Sequence, residues 1–181
     1  MQRKWMMILL GSCLCFTGCQ VMPHAKGLQS PLWQTQAYQR QDQVEVQWKQ
    51  QSFSFLLYQQ QQGTVLDMVA LSLTGQQLFK LQFDGQRVHV EQRIDQMRLL
   101  PFEFVVRDLL FATYPKFSSL GQQAVEMKQQ ADNQDIYIDK QPVLHIKKGQ
   151  GSIELLNQQV PYSMTLSSIE NTLQPQKSST P

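Results

Sequence analysis

The chain has 181 residues, one domain's length on the usual scale of about 100 to 200 residues, with 41% hydrophobic and 17% charged residues. That composition excludes a collagen, a coiled coil and an acidic disordered chain. Lys and Arg number 16 against 14 Asp and Glu; Arg3 and Lys4 lie in what reads as a cleavable leader, so 14 stand against 14 in the remainder. A neutral domain offers no electrostatic footprint for a phosphate backbone, and nucleic acid is not an expected partner. The 32 glutamines are the one oddity, read here as polar amides that keep an outer strand face wet without charge.

Met1 to Lys4 forms a short positive region, and Trp5 to Phe16 is an apolar stretch followed by small residues, the shape of a secretory signal peptide. It is too short for a membrane span of about 20 apolar residues. The stretch ends Phe16-Thr17-Gly18-Cys19, which resembles the bacterial lipobox: an apolar residue, two small ones, and the cysteine that takes diacylglycerol and becomes the new N-terminus. Cys13, Cys15 and Cys19 are the only cysteines, so the chain beyond Cys19 has no thiol to pair and no disulfide framework. Leu10-Gly11-Ser12-Cys13 is a competing lipobox, although it leaves a shorter apolar region than such leaders use. Gln20 follows Cys19 where an Asp tends to hold lipoproteins at the inner membrane, so the resemblance points to the periplasmic face of the outer membrane. The expected organisation is a signal peptide over 1–18, a lipidated tether over 19–42, a folded domain over 43–171 and a disordered tail over 172–181.

From Gln43 the apolar residues alternate: Val44, Val46 and Trp48 share one face, and Phe53, Phe55 and Leu57 repeat the period. Val65 to Leu73 is more continuously apolar and reads as a strand buried on both faces. Leu78 to Phe83 runs into Asp84-Gly85, a tight-hairpin signal, and Arg87 to Gln92 returns. At Pro101 the period changes: Phe102, Val105, Val106, Leu109 and Leu110 fall at helical spacing until Tyr114-Pro115 stops them. Strands resume over Ala124 to Gln130, Ile136 to Ile138, Val143 to Ile146, Ile153 to Leu156 and Tyr162 to Ile169. Nine or so strands with one helix bury their apolar faces by curling around it, giving a mainly β fold, a curved antiparallel sheet or incomplete barrel around a central α-helix. Periodicity leaves open whether the interior is a cavity or a packed core.

Catalytic signatures are missing. His24, His89 and His145 stand apart from any other His or Cys at ligand spacing, so no metal site is expected. Gly149-Gln150-Gly151 sits between strands and does not open a helix, so it cradles no phosphate. Asp132, Asp135 and Asp139 lack the glycine and terminal Glu of a calcium loop. The chain is expected to be neither an enzyme nor the carrier of a cofactor.

A lipobox, a tether, a strand meander, a central helix and a second meander resemble the order of the LolA and LolB lipoprotein carriers. A more specific resemblance, to the bacterial lipoproteins called domain of unknown function 3261, is carried by Leu71-Ser72-Leu73-Thr74-Gly75-Gln76-Gln77-Leu78-Phe79, by Phe83-Asp84-Gly85, and by the helix that keeps Asp108, Leu109, Ala112 and Pro115. The resemblance implies a half-barrel that handles a lipid-like product of acyl or aryl-polyene type, an outer-membrane anchor at Cys19, and a periplasmic LolA-like carrier as a candidate partner. It also implies that a loop before the glycine transfers the chain; here those positions are Leu73, Thr74 and Gly75, with Thr74 where LolB-like receptors expose a bulky apolar residue. Trp48, Phe55, Leu57, Leu81, Phe83, Val106 and Leu110 are the candidates to line a lipid cavity, since they occupy strand faces and the apolar stripe of the helix. The competing class is a structural or assembly lipoprotein with a fully packed core.

Overall fold

The computed structural model describes residues 24–169. The leader with Cys13 and Cys19, and the tail over 172–181, lie outside them. Two meanders flank one helix. The first comprises β1 (Gln39–Trp48), β2 (Gln51–Gln62), β3 (Val65–Leu71), β4 (Gln77–Phe83) and β5 (Val88–Arg93). After α1 (Phe102–Thr113) come β6 (Val125–Gln130), β7 (Asn133–Ile138), β8 (Gln141–Lys148), β9 (Ser152–Asn157) and β10 (Tyr162–Ser168). β1 pairs antiparallel with β2 on one side and with β10 on the other, which splices the meanders into a single ten-stranded sheet with β5 and β6 at its free edges. The sheet is curved and unclosed, and it wraps the helix as the alternation implied.

Register sets the interior. Val44 sits opposite Phe55 on β2 and Leu166 on β10, and all three are buried. Continuing the same parity along β2 brings Gln59 and Gln61 inward, so part of the run Gln59 to Gln62, read as solvated, belongs to the core side. The expectation for Val65 to Leu73 also changes. Only Leu66, Met68 and Ala70 are buried there, because no second layer covers the outer face of β3, and the strand stops at Leu71.

The near rim is formed by the β1–β2, β3–β4 and β9–β10 turns and the far rim by the β2–β3 and β4–β5 turns; Phe102 at the start of α1 packs on Phe79 of β4, and Tyr114 just past its end bonds Gln61 beside the far rim. Every residue from Phe104 to Ala112 is buried, a result the sheet alone could not produce. The remaining cover comes from the segment expected to be a free tether, which is instead a strap from residue 24 onward. Ala25, Leu28 and Ser30 are fully buried. The Ala25 N–H donates to Glu103 Oε2 at 3.0 Å, the Ser30 N–H to the Gly85 carbonyl at 2.8 Å, and Trp33 Nε1 to the Thr64 carbonyl at 2.7 Å. With Gly27 packed close to Ile138 and Val125 on the other side, the strap thus crosses the slot between the β5 and β6 edges, and its course through two turns explains why neither strand nor helix period announced it. β1 likewise begins at Gln39, ahead of the expected boundary at residue 43.

A polar cluster closes the far rim. Tyr38 shares a 2.9 Å hydrogen bond with Thr113, Tyr114 OH donates to Gln61 Oε1, and the Tyr114 ring stacks on Trp33 with centroids 4.8 Å apart. Burial pushes the Tyr38 phenol up to about 12, against the opposing pull of the Thr113 hydrogen bond and the Arg40 charge. The unfolded phenol ionises near 10. The stability this group contributes is therefore full below pH ~10 and is lost as pH rises through about 12, on the order of 2–3 kcal/mol. Urea unfolding at stepped alkaline pH should show that slope in the parent and a flatter one in Tyr38→Phe; equal slopes would assign the effect to other groups.

Candidate functional site

The interior candidates come together. Trp48, Phe55, Leu57, Leu81, Phe83, Val106 and Leu110 are 0–7% exposed and belong to one hydrophobic cluster. Edge-on ring contacts knit the same cluster: Phe55 with Phe79 at 5.5 Å, Phe79 with Phe102 at 5.1 Å, and Trp33 with Phe83 at 5.0 Å. Val106 and Leu110 belong to the helix, the other five to the sheet, and all seven pack into one core that Trp33 of the strap meets at Phe83. Of them, Trp48 also borders an open depression at the near rim, beside Lys49, Gln51, Asp95 and Leu99.

The apolar opening lies elsewhere, between the edge strand β5 and the N-terminal end of α1. It is a groove of about 400 Å³ bordered by Val88, Val90, Arg93, Leu99, Leu100, Pro101, Phe102, Glu103, Phe104 and His24. That volume falls inside the range of roughly 300–1,000 Å³ typical of small-ligand sites. Val90 is 40% and Leu99 69% exposed, so the groove presents apolar side chains to solvent. Its wall follows from β4 pairing. Phe83 and Leu81 point inward and sit opposite Val88 and Val90; a register shift at Lys80/Leu81 leaves Glu91 unpaired, and Phe79 then faces Arg93. Without that bulge the inward position would fall on Gln92. Periodicity assigns Val88 and Val90 to a hairpin strand, but it carries no sign that the strand lacks an outer neighbour.

The β3–β4 loop projects from the same rim. Leu73 is 63% exposed. The loop itself is built firmly: the Ser72 N–H donates to the Gln76 carbonyl at 2.7 Å, the Gly75 N–H to the Ser72 carbonyl at 2.9 Å, and the Gln76 N–H to Ser72 Oγ at 3.0 Å. Thr74 Oγ1 and Ser72 Oγ share a further bond of 2.9 Å. Leu73 therefore does not end the buried strand; it is held out on an ordered turn, with Thr74 and Gly75 also exposed.

A buried ionic cluster fixes the helix that forms the groove's second wall. Arg107 and Asp108 are both fully buried. Arg107 Nε donates to Asp108 Oδ1 at 2.8 Å, and Nη1 donates to Gln159 Oε1 at 2.8 Å and to the Lys26 carbonyl at 3.2 Å. Asp108 Oδ2 accepts from Asn157 Nδ2 at 2.6 Å and from Tyr162 OH. One carboxylate thus ties α1 to β9, β10 and, through Arg107, the strap. Each histidine also pairs with a carboxylate: His24 with Glu103 at 2.8 Å, His89 with Asp84 at 3.1 Å and His145 with Asp135 at 2.7 Å.

Asp108, Leu109, Ala112 and Pro115, the residues that carried the resemblance of the helix, are thus the ones that pack and terminate it. No curated protein matches the chain. Residues 39–170, from the first strand through the last, match the family described as Protein of unknown function (DUF3261), and the chain belongs to that family.

Proposed function

We propose that this is a lipid-anchored protein of the outer membrane's periplasmic face that binds a lipid-like chain and hands it on within the envelope, with no bond made or broken. The observation that carries the reading is the solvent-open apolar groove at β5 and α1, on the same rim as the projecting Leu73. The strap adds support. His24 borders the groove, and Cys19 lies five residues before it, a reach of at most about 18 Å, so an acyl anchor on Cys19 would hold this rim close to the bilayer. Each methylene buried contributes about 0.8 kcal/mol, enough for a chain of a dozen or so carbons to be held by burial alone. A LolA-like periplasmic carrier is the corresponding partner for hand-over.

The purified soluble domain starting at Gln20, without the lipidated cysteine, is expected to bind a fluorescent fatty acid and to carry lipid in native mass spectra. Val90→Glu sets a carboxylate on the groove wall and should weaken binding about tenfold or more while the fold, which leaves Val90 half in solvent, is kept. Leu73→Glu should bind normally, melt near the parent temperature, and lose transfer of the bound chain to liposomes.

The second reading, a structural or assembly lipoprotein, draws on the tight burial of the seven interior residues. It gains if native spectra show only the bare protein and the probe does not respond.

A further inference from the structure

We propose that the groove selects a single-chain amphiphile whose head is a carboxylate, with Arg93 as the head-group partner and the valines of β5 along its chain. The proposal rests on the groove being a lipid site and adds which lipid it takes. The bulge at Glu91 is the structural reason: it returns Arg93 to the inward face of the edge strand, in line with Val88 and Val90, where regular alternation would have placed Gln92. A cation therefore stands at the rim end of an apolar wall.

That cation is available. The Arg93 side chain has no hydrogen-bond or ion-pair partner among the described residues. The neighbouring acid Glu91 is taken by Lys80 at 2.6 Å on the outer face. Glu103, the carboxylate that borders the groove, is held by His24 at 2.8 Å and by the Ala25 N–H at 3.0 Å. Arg93 is thus the groove cation without a partner among the described residues, and a planar guanidinium matches a carboxylate with two parallel hydrogen bonds. An apolar wall that ends in a free guanidinium complements an anionic amphiphile and gives no equal advantage to a neutral chain of the same length.

Displacement of a fluorescent fatty-acid probe from the soluble domain, Gln20 to Pro181, which keeps the strap and every described strand, tests this. Dodecanoate and dodecanol serve as competitors at low and high salt. At low salt the parent should bind dodecanoate about fivefold more tightly than dodecanol, the scale of an exposed charge pair, and the preference should shrink as salt rises. Arg93→Gln should remove the preference by weakening dodecanoate alone, and Arg93→Lys should keep part of it; circular dichroism checks that each variant is folded. If both competitors bind the parent equally, or if Arg93→Gln keeps the preference, the head-group assignment is overturned while the groove remains a lipid site. If neither binds, the lipid reading itself fails.

Discussion

Asp108→Ala should lower the unfolding free energy by about 3–5 kcal/mol, read as a fall in the urea midpoint with the slope unchanged. The size comes from the groups that the substitution leaves unpaired. Arg107 is fully buried; its Nε and the Tyr162 hydroxyl lose their acceptor at once, and Asn157 Nδ2 keeps only the Tyr162 oxygen at 3.2 Å. An uncompensated buried guanidinium is far more costly than the ion pair is beneficial. The paired change Arg107→Met with Asp108→Leu removes both charges and should cost much less than Asp108→Ala alone. A single substitution within ~1 kcal/mol of the parent would show that Arg107 finds solvent by moving the strap, whose Lys26 carbonyl it now contacts.

Gly85→Ala should cost about 3–5 kcal/mol, whereas Gly75→Ala should cost only about 1–2. The two glycines share a left-handed backbone, φ +91° and +87°, so the conformational strain of a Cβ is nearly equal at both. Their surroundings differ. A Cβ on Gly75 meets nothing within 4 Å, while one on Gly85 would lie 2.5 Å from Cβ and Cγ of Trp33. Trp33 would have to leave its stack on Tyr114 and its edge contact with Phe83, and with it the strap's bond from Ser30 to the Gly85 carbonyl would be strained. Differential melting of the two variants separates backbone strain from strap displacement. Equal losses would mean that the strap adds little to the stability of the barrel.

Alternation in Val44, Val46 and Trp48, in Phe55 and Leu57, and in Leu81 and Phe83 fixed which residues face the core, because strand side chains repeat every two residues whatever the neighbouring strand is. Helical spacing from Phe102 to Leu110 and the Tyr114-Pro115 stop defined α1 in the same way, since the residue before a proline is driven out of the helical region; Tyr114 has φ −81° and ψ 128°. The inward orientation of the seven interior candidates was therefore legible, and their packing into a core in place of a cavity was not. Gln59 and Gln61 are the exception: their polar amides predict a wet face, while parity places them with Phe55 and Leu57, and parity wins.

By itself, then, the sequence determined the strands, the helix and the faces they bury, since these follow from local periods of two and 3.6 residues. Only the tertiary structure decided that β5 is an edge, that a one-residue bulge turns Arg93 inward beside Val88 and Val90, and that residues 24–38 form a strap across the slot. Each of these depends on which segments lie beside one another across long stretches of chain. A missing neighbour, a register shift and a turning segment without a period leave no mark on the pattern of any single stretch. The groove arises where those three meet, which is why its valines could be read as a strand and its role as a site could not.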